Sequence, residues 1–183
     1  MIAQAAGKLA LMIACALVLA AAPAAAQPLG GPRDFDFEFG AWTTQLKRLV
    51  RPLSGSSEWV EYEGTSVVHE LWGGAANIGE LDVKGPAGRI EGMTLRLYNP
   101  HTKQWSVRFA NRRNGELGEP MIGGFQDGRG EFYGQELYEG RAIFVRFIFS
   151  EITANTFRLE QAFSADGGKT WEANWIATFK KVG

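Results

Sequence analysis

Cysteine occurs once in this chain, at Cys15, and histidine twice, at His69 and His101. Cys15 lies inside the apolar run LALMIACALVLAA near the start, so everything beyond residue 26 is free of thiols. That excludes disulfides, thiolate metal ligands and a cysteine nucleophile from the bulk of the protein. With no second histidine near the first, a zinc site is not expected, and no cofactor is expected either. The glycine pairs at Gly123-Gly124 and Gly128-Arg129-Gly130 are followed by neither Gly-Lys-Ser/Thr nor a predicted helix, so they do not form a phosphate loop. No G-x-S-x-G elbow or H-E-x-x-H pair is present.

Long hydrophobic runs are also missing. The run before Ala22 is 13 residues long, short of the roughly 18 that a membrane span requires. Only Lys8 is charged in the first 26 residues, and Pro23-Ala24-Ala25-Ala26 follows the run. This layout is that of a secretory signal peptide with an A-x-A cleavage site, which predicts residues 1–26 as a signal peptide, a mature start near Gln27 and a periplasmic or secreted protein. The mature chain, without a membrane span, carries 18 Lys+Arg against 20 Asp+Glu, a formal charge of −2. Both signs are interspersed, with no basic run to suggest nucleic acid and no acidic tail.

Helical periodicity is the last absence. No stretch of ten or more residues shows sustained i, i+3, i+4, i+7 apolar spacing. Beyond a lead-in over 27–33, read as flexible, and an aromatic entry, Asp34 to Phe39, residues 34–183 read as one domain of short β runs. Strands are predicted near 42–50, 58–62, 65–72, 77–83, 89–98, 104–111, 120–125, 130–137, 141–151, 156–163 and 172–181, the second and third joining as one strand if it bends at Gly64. About ten strands at this spacing predict an all-β, single antiparallel meander, with closure into a barrel favoured because it removes exposed edges. A barrel of eight to ten strands can enclose one small ligand.

The entry carries a resemblance. Phe39-Gly40-Ala41-Trp42, a G-x-W opening the first strand, resembles the first motif of the lipocalins and the wider calycin group. In that group the tryptophan closes the barrel base beneath a basic residue of a late strand. Lys180 or Lys181 would supply that cation here, where lipocalins proper carry an arginine and a C-terminal helix, both lacking in this chain. Phrases such as LRLYNPHTKQW and EQAFSADGGKTWEANW are similar to a bacterial family of secreted lipocalin-like (calycin-type) β-barrel proteins, a resemblance that spans most of residues 34–181 and implies fold rather than activity.

The stretch SADGGKTW, residues 164–171, fits the Asp-box pattern S-x-D-x-G-x-T-W of sialidase propellers. In propellers the motif recurs once per blade, whereas here it occurs once, in a chain with room for about four small blades. A hairpin staple is expected instead, with Asp166 accepting turn amides, Gly167 and Gly168 at positive φ, and Trp171 beneath the turn. Asn99 to Trp105 is expected to be pinned in the same way.

The site candidates are polar groups on strands. Thr94, Arg96 and Tyr98 alternate with Met93, Leu95 and Leu97, and Arg146 alternates with an apolar row at Ile143, Val145, Phe147 and Phe149. The apolar rows are expected inside, which makes the arginine rows cross-strand ion pairs, Arg146 meeting Glu160 across the 152–155 turn. Pointed inward, an arginine would demand a carboxylate such as Glu70 or an anionic ligand. Glu70 beside Trp72 and Asn174 beside Trp175 are further polar groups in aromatic settings, in a chain with six Trp and 12 Phe. His101 is expected in solvent. His69 is expected as a packed or half-exposed strand residue, or, if inward, as a haem ligand like that of nitrobindin-like proteins or a general base. The function expected is the binding of a small apolar or amphipathic molecule by Glu70, Arg96, Tyr98, Arg146, Glu160 and Trp175, with Arg96, Tyr98 and Arg146 fixing its polar end. The alternative is an enzyme on the same barrel using Glu70 or His69 as acid or base.

Overall fold

Ten antiparallel strands follow one another and close on themselves in a computed structural model that describes residues 30–183. They are β1 (Gly40–Leu49), β2 (Trp59–Leu71), β3 (Ala76–Gly85), β4 (Gly88–Asn99), β5 (Gln104–Asn111), β6 (Met121–Gln126), β7 (Arg129–Tyr138), β8 (Arg141–Ser150), β9 (Thr156–Ser164) and β10 (Glu172–Lys181). Each pairs with its sequence neighbours, and β1 meets β10 from Trp42↔Lys181 to Arg48↔Trp175, which closes the barrel. The signal peptide expected over 1–26 lies outside the described residues. No helix among the described residues is long and apolar enough to cross a membrane.

Alternation decides what faces inward. Along β1, Trp42, Thr44 and Leu46 are buried while Ala41, Thr43, Gln45 and Lys47 are exposed, the period of two that a half-buried strand requires. On β8 and β9 the rows Ile143, Val145, Phe147, Phe149 and Phe157, Leu159, Phe163 face the interior as the apolar pattern predicts. On β4 the expectation fails: Arg96 is buried inside, opposite Asn77 of β3 and Val107 of β5, and Met93, Leu95 and Leu97 form the outer row.

Residues 30–39 run under one end of the barrel as a series of i→i+3 turns ending in a short 3-10 helix (Asp36–Glu38). Such turns place i and i+3 on one side, so Phe35 and Glu38 both point up into the core and both are fully buried. The Phe35 ring meets Trp105 and Phe125 at 4.9 Å and Phe149 at 5.3 Å, all edge-to-face, a geometry worth about 0.5–1.5 kcal/mol per pair. Residues 30–33, expected as the end of a flexible lead-in, are tied down. The Gly30 amide donates to Phe125 O, the Trp105 indole donates to Gly31 O, and Arg33 bonds Asp36 and Gly73 O.

The two hairpins expected to share one staple differ. At 164–171 the carboxylate of Asp166 accepts the Lys169 and Thr170 amides and the Thr170 hydroxyl, and the Trp171 indole donates to Gly168 O outside the barrel. These bonds, those from Thr170 above all, hold the Asp166 carboxyl below the usual carboxylate range. At 99–105 the Asn99 side chain accepts the His101 amide in a similar turn, but Trp105 points inward and is fully buried. The difference is register: Trp105 falls on the inward row of β5 with Val107, whereas Trp171 precedes β10.

Pairing is uneven around the barrel, with ten residue pairs joining β1 to β2 and three joining β5 to β6. β2 is one strand through Gly64, where a Cβ would collide with the Asp82 carbonyl of β3. Gly64→Ala is therefore expected to lower stability by about 1–3 kcal/mol, while Gly124→Ala, whose Cβ would meet nothing within 4 Å, stays within about 0.5 kcal/mol. Urea denaturation of both variants checks this, and equal effects would contradict the close approach at Gly64.

Candidate functional site

The interior is filled on one side and hollow on the other. The inward residues of β6 and β7, Phe125 and Phe132, pack against Phe35. Between β1 to β5 and β8 to β10 lies a cavity of about 120 Å³. Its walls are Leu46, Leu81, Val107, Phe109, Phe147, Phe149, Phe157, Leu159, Trp175, Ala177 and Phe179, and its polar lining includes Glu38, Thr44, Ser66, Thr94, Arg96 and Gln161.

The base of the cavity is built around a buried ion pair. Arg96 Nη2 lies 2.7 Å from Glu38 Oε2, and Arg96 Nη1 donates to Asn77 Oδ1 at 2.8 Å. The guanidinium rests over the Phe35 ring at 4.9 Å. Neither charge would tolerate burial alone, so each is the condition for the other. Four buried polar atoms here, Glu38 Oε1, Thr44 Oγ1, Asn77 Nδ2 and Arg96 Nε, have no hydrogen-bond partner among the described residues. Glu38 and Thr44 line the cavity, so their unsatisfied oxygens make this end of it the polar one.

Beneath the pair, the Trp42 indole donates to the Glu38 carbonyl at 2.7 Å, and Lys181 Nζ sits 5.2 Å from the centre of the Trp42 ring. The cation expected from the last strand is thus Lys181, while Lys180 is exposed on the outside. The fold is a closed, lipocalin-like meander of ten strands. The S-type phycobiliprotein lyase CPES from Guillardia theta superposes with a TM-score of 0.56 at 11% identity, covering 81% of this chain and 90% of that one. Rv2717c from M. tuberculosis superposes with a TM-score of 0.55 at 12% identity, covering 82% of this chain and 98% of that one. No protein-family model and no curated protein matches the chain. Identities this low establish a common fold alone.

The barrel brings together two of the six residues expected at a site. Arg96 and Trp175 line the cavity. Trp175 reaches it because a register shift at Asn174 lets the next residue turn inward. Tyr98 shares the inward row with Arg96 but lies lower, its ring 5.4 Å from Trp105 and its hydroxyl 3.5 Å from Gly30 O.

The other three do not reach it. Glu70 sits at the exposed lower rim and pairs with Arg33 at 3.1 Å, not with Arg96, because β2 has passed the barrel edge by that residue. Arg146 is on the outer row of β8, its guanidinium 4.6 Å from the centre of the Trp171 ring. It faces Ala162 across the ladder rather than Glu160, which instead pairs with Arg158 on its own strand at 2.6 Å. His69 is exposed on the outer face of β2, so neither it nor Glu70 stands where a haem or a sequestered substrate would meet it. His101 is exposed in its turn, as expected.

Glu38 is the residue that strand reasoning passes over, since it belongs to no strand. The usable signal is its spacing of three from Phe35 in a segment that turns rather than extends. Burial pushes its carboxyl up to about 7 against the downward pull of Arg96. Between about pH 4.5 and 7 native Glu38 therefore holds a proton that the unfolded chain has already released, and above about 7 its pair with Arg96 is ionic. The resulting stabilisation is complete below about pH 4.5 and disappears as pH rises through about 7. Relative to Glu38→Gln, the wild type is expected to lose up to about 3 kcal/mol over that interval. Urea midpoints of both proteins measured at several pH values test this, and a difference that does not vary with pH would refute it.

Proposed function

We propose that the protein is an exported barrel that holds one small apolar or amphipathic molecule in its internal cavity. The observation that carries this reading is the cavity itself: an aromatic and aliphatic chamber of about 120 Å³ with unpartnered buried oxygens of Glu38 and Thr44 at its base. A chamber near 150 Å³ accepts a benzene-sized guest, so the volume suits a single ring or a short branched chain. Walls that are mostly apolar with a few convergent polar groups are the usual make-up of small-molecule sites. Thr44, Ser66 and Thr94 supply hydroxyls that both donate and accept, which suits neutral rather than charged groups on the part of the guest inside the chamber.

Benzyl alcohol, a ring with one neutral polar group, is expected to bind with a dissociation constant on the order of 0.1–1 mM, given the affinity each ligand atom ordinarily contributes. Ala177→Leu, which places three more carbons inside the chamber, is expected to weaken that binding at least tenfold while leaving the circular dichroism spectrum unchanged. Titration calorimetry on both proteins decides the matter, and equal affinity would remove the cavity as the site.

Export rests on the signal-peptide layout of residues 1–26. Expressed from its full sequence in a Gram-negative host, the protein is expected in the periplasmic fraction with an N-terminus near Gln27. Recovery from the cytoplasm with Met1 retained would refute it.

A further inference from the structure

The end of the barrel opposite the 3-10 helix opens into a wider hollow of about 590 Å³, which shares Phe109, Gln161 and Trp175 with the internal cavity. Its rim carries Arg48, Arg89, Arg112 and Arg113, with Glu91 as the acidic residue among them. Arg89 is already engaged by Asp82 through two bonds of 2.7 Å, and Arg112 by Glu91 at 2.6 Å. Arg48 and Arg113 make no ion pair among the described residues. Arg48, exposed at the rim, follows Thr44 and Leu46 at a spacing of two on β1 and stands beside Trp175 in the ladder. The mouth therefore has an excess of positive charge directly above an apolar chamber.

The two ends of this space treat an anion in opposite ways. At the base, above about pH 7, Arg96 is neutralised by ionised Glu38 and already bonded to Asn77, so a guest carboxylate there would meet a second acid in a medium of low dielectric. At the mouth, a guanidinium fork without a partner can take a carboxylate through two parallel bonds while staying in contact with water. We infer that the cavity's guest is a small aryl or short-chain carboxylate, held with its apolar body between Phe109, Trp175 and Leu159 and its carboxylate at Arg48 and Arg113. This assignment rests on the small-molecule reading of the cavity and adds to it the charge and direction of the guest.

Three probes of one shape separate the possibilities: 3-phenylpropanoate, 3-phenyl-1-propanol and 3-phenylpropylamine, titrated calorimetrically into the mature protein. The carboxylate is expected to bind at least tenfold more tightly than the alcohol, and the amine more weakly than either. The preference is expected to shrink severalfold between about 20 and 300 mM salt, because the mouth is exposed to solvent. Arg48→Gln and Arg113→Gln together are expected to bring carboxylate and alcohol to equal affinity without weakening the alcohol, and Arg48→Lys to keep part of the preference. Carboxylate and alcohol bound equally by the wild type would overturn this inference and leave the small-molecule reading standing. A carboxylate preference that survives the double replacement would overturn it too. Binding of none of the three would defeat the small-molecule reading itself and this inference with it.

Discussion

A carboxylate and a guanidinium that cannot be buried separately are buried together beneath the hollow of this barrel, and much of the architecture follows from that constraint. Glu38 arrives from a turn before the first strand and Arg96 from the middle of the fourth. Their union fixes the segment that closes one end of the barrel. It also sets which row of β4 faces inward, because an arginine committed to an internal acid carries Thr94 and Tyr98 to the same side. The main chain of Glu38 holds the Trp42 indole, so one residue links the entry turn, the first strand and the core.

The pair also gives the interior a direction. Near it the chamber is polar but electrically balanced, the middle is aromatic, and the far opening is rich in arginine. An aromatic plug led by Phe35 fills the β6 and β7 side, so the hollow is offset toward β1 and β10, where Trp175, Ala177 and Phe179 form its wall. Ala177 is important for what it omits: a larger side chain there would occupy the space.

Strand number, order and closure were legible because turn residues punctuate the chain and because closure removes edges. The inward rows of β8 and β9 were legible for the same reason that alternation usually works: one row is aromatic. On β4 both rows carry large side chains, and the more apolar one, Met93, Leu95 and Leu97, lies outside. Hydrophobicity alone could not choose correctly there, since the deciding partner of Arg96 lies 58 residues earlier and outside any strand. Arg146 and Glu160 were misjoined for a related reason. A ladder shift of two residues puts Ala162 opposite Arg146, and the Trp171 ring supplies the guanidinium with a face that no spacing rule anticipates. Trp175 was legible as an aromatic neighbour of a polar residue, but the bulge that turns it inward was not.

The sparse ladder between β5 and β6 has a consequence for how the wall can part. Three residue pairs tie these strands, and beyond Val107 the strand β5 is flanked by a loop that touches it through the Gly118 amide and a bridge at Leu117. Local opening follows the places where the fewest backbone bonds must break at once. This seam is therefore where the wall is expected to loosen first, while the longer ladder between the first and last strands holds, and Phe109 next to it is also a wall of the chamber.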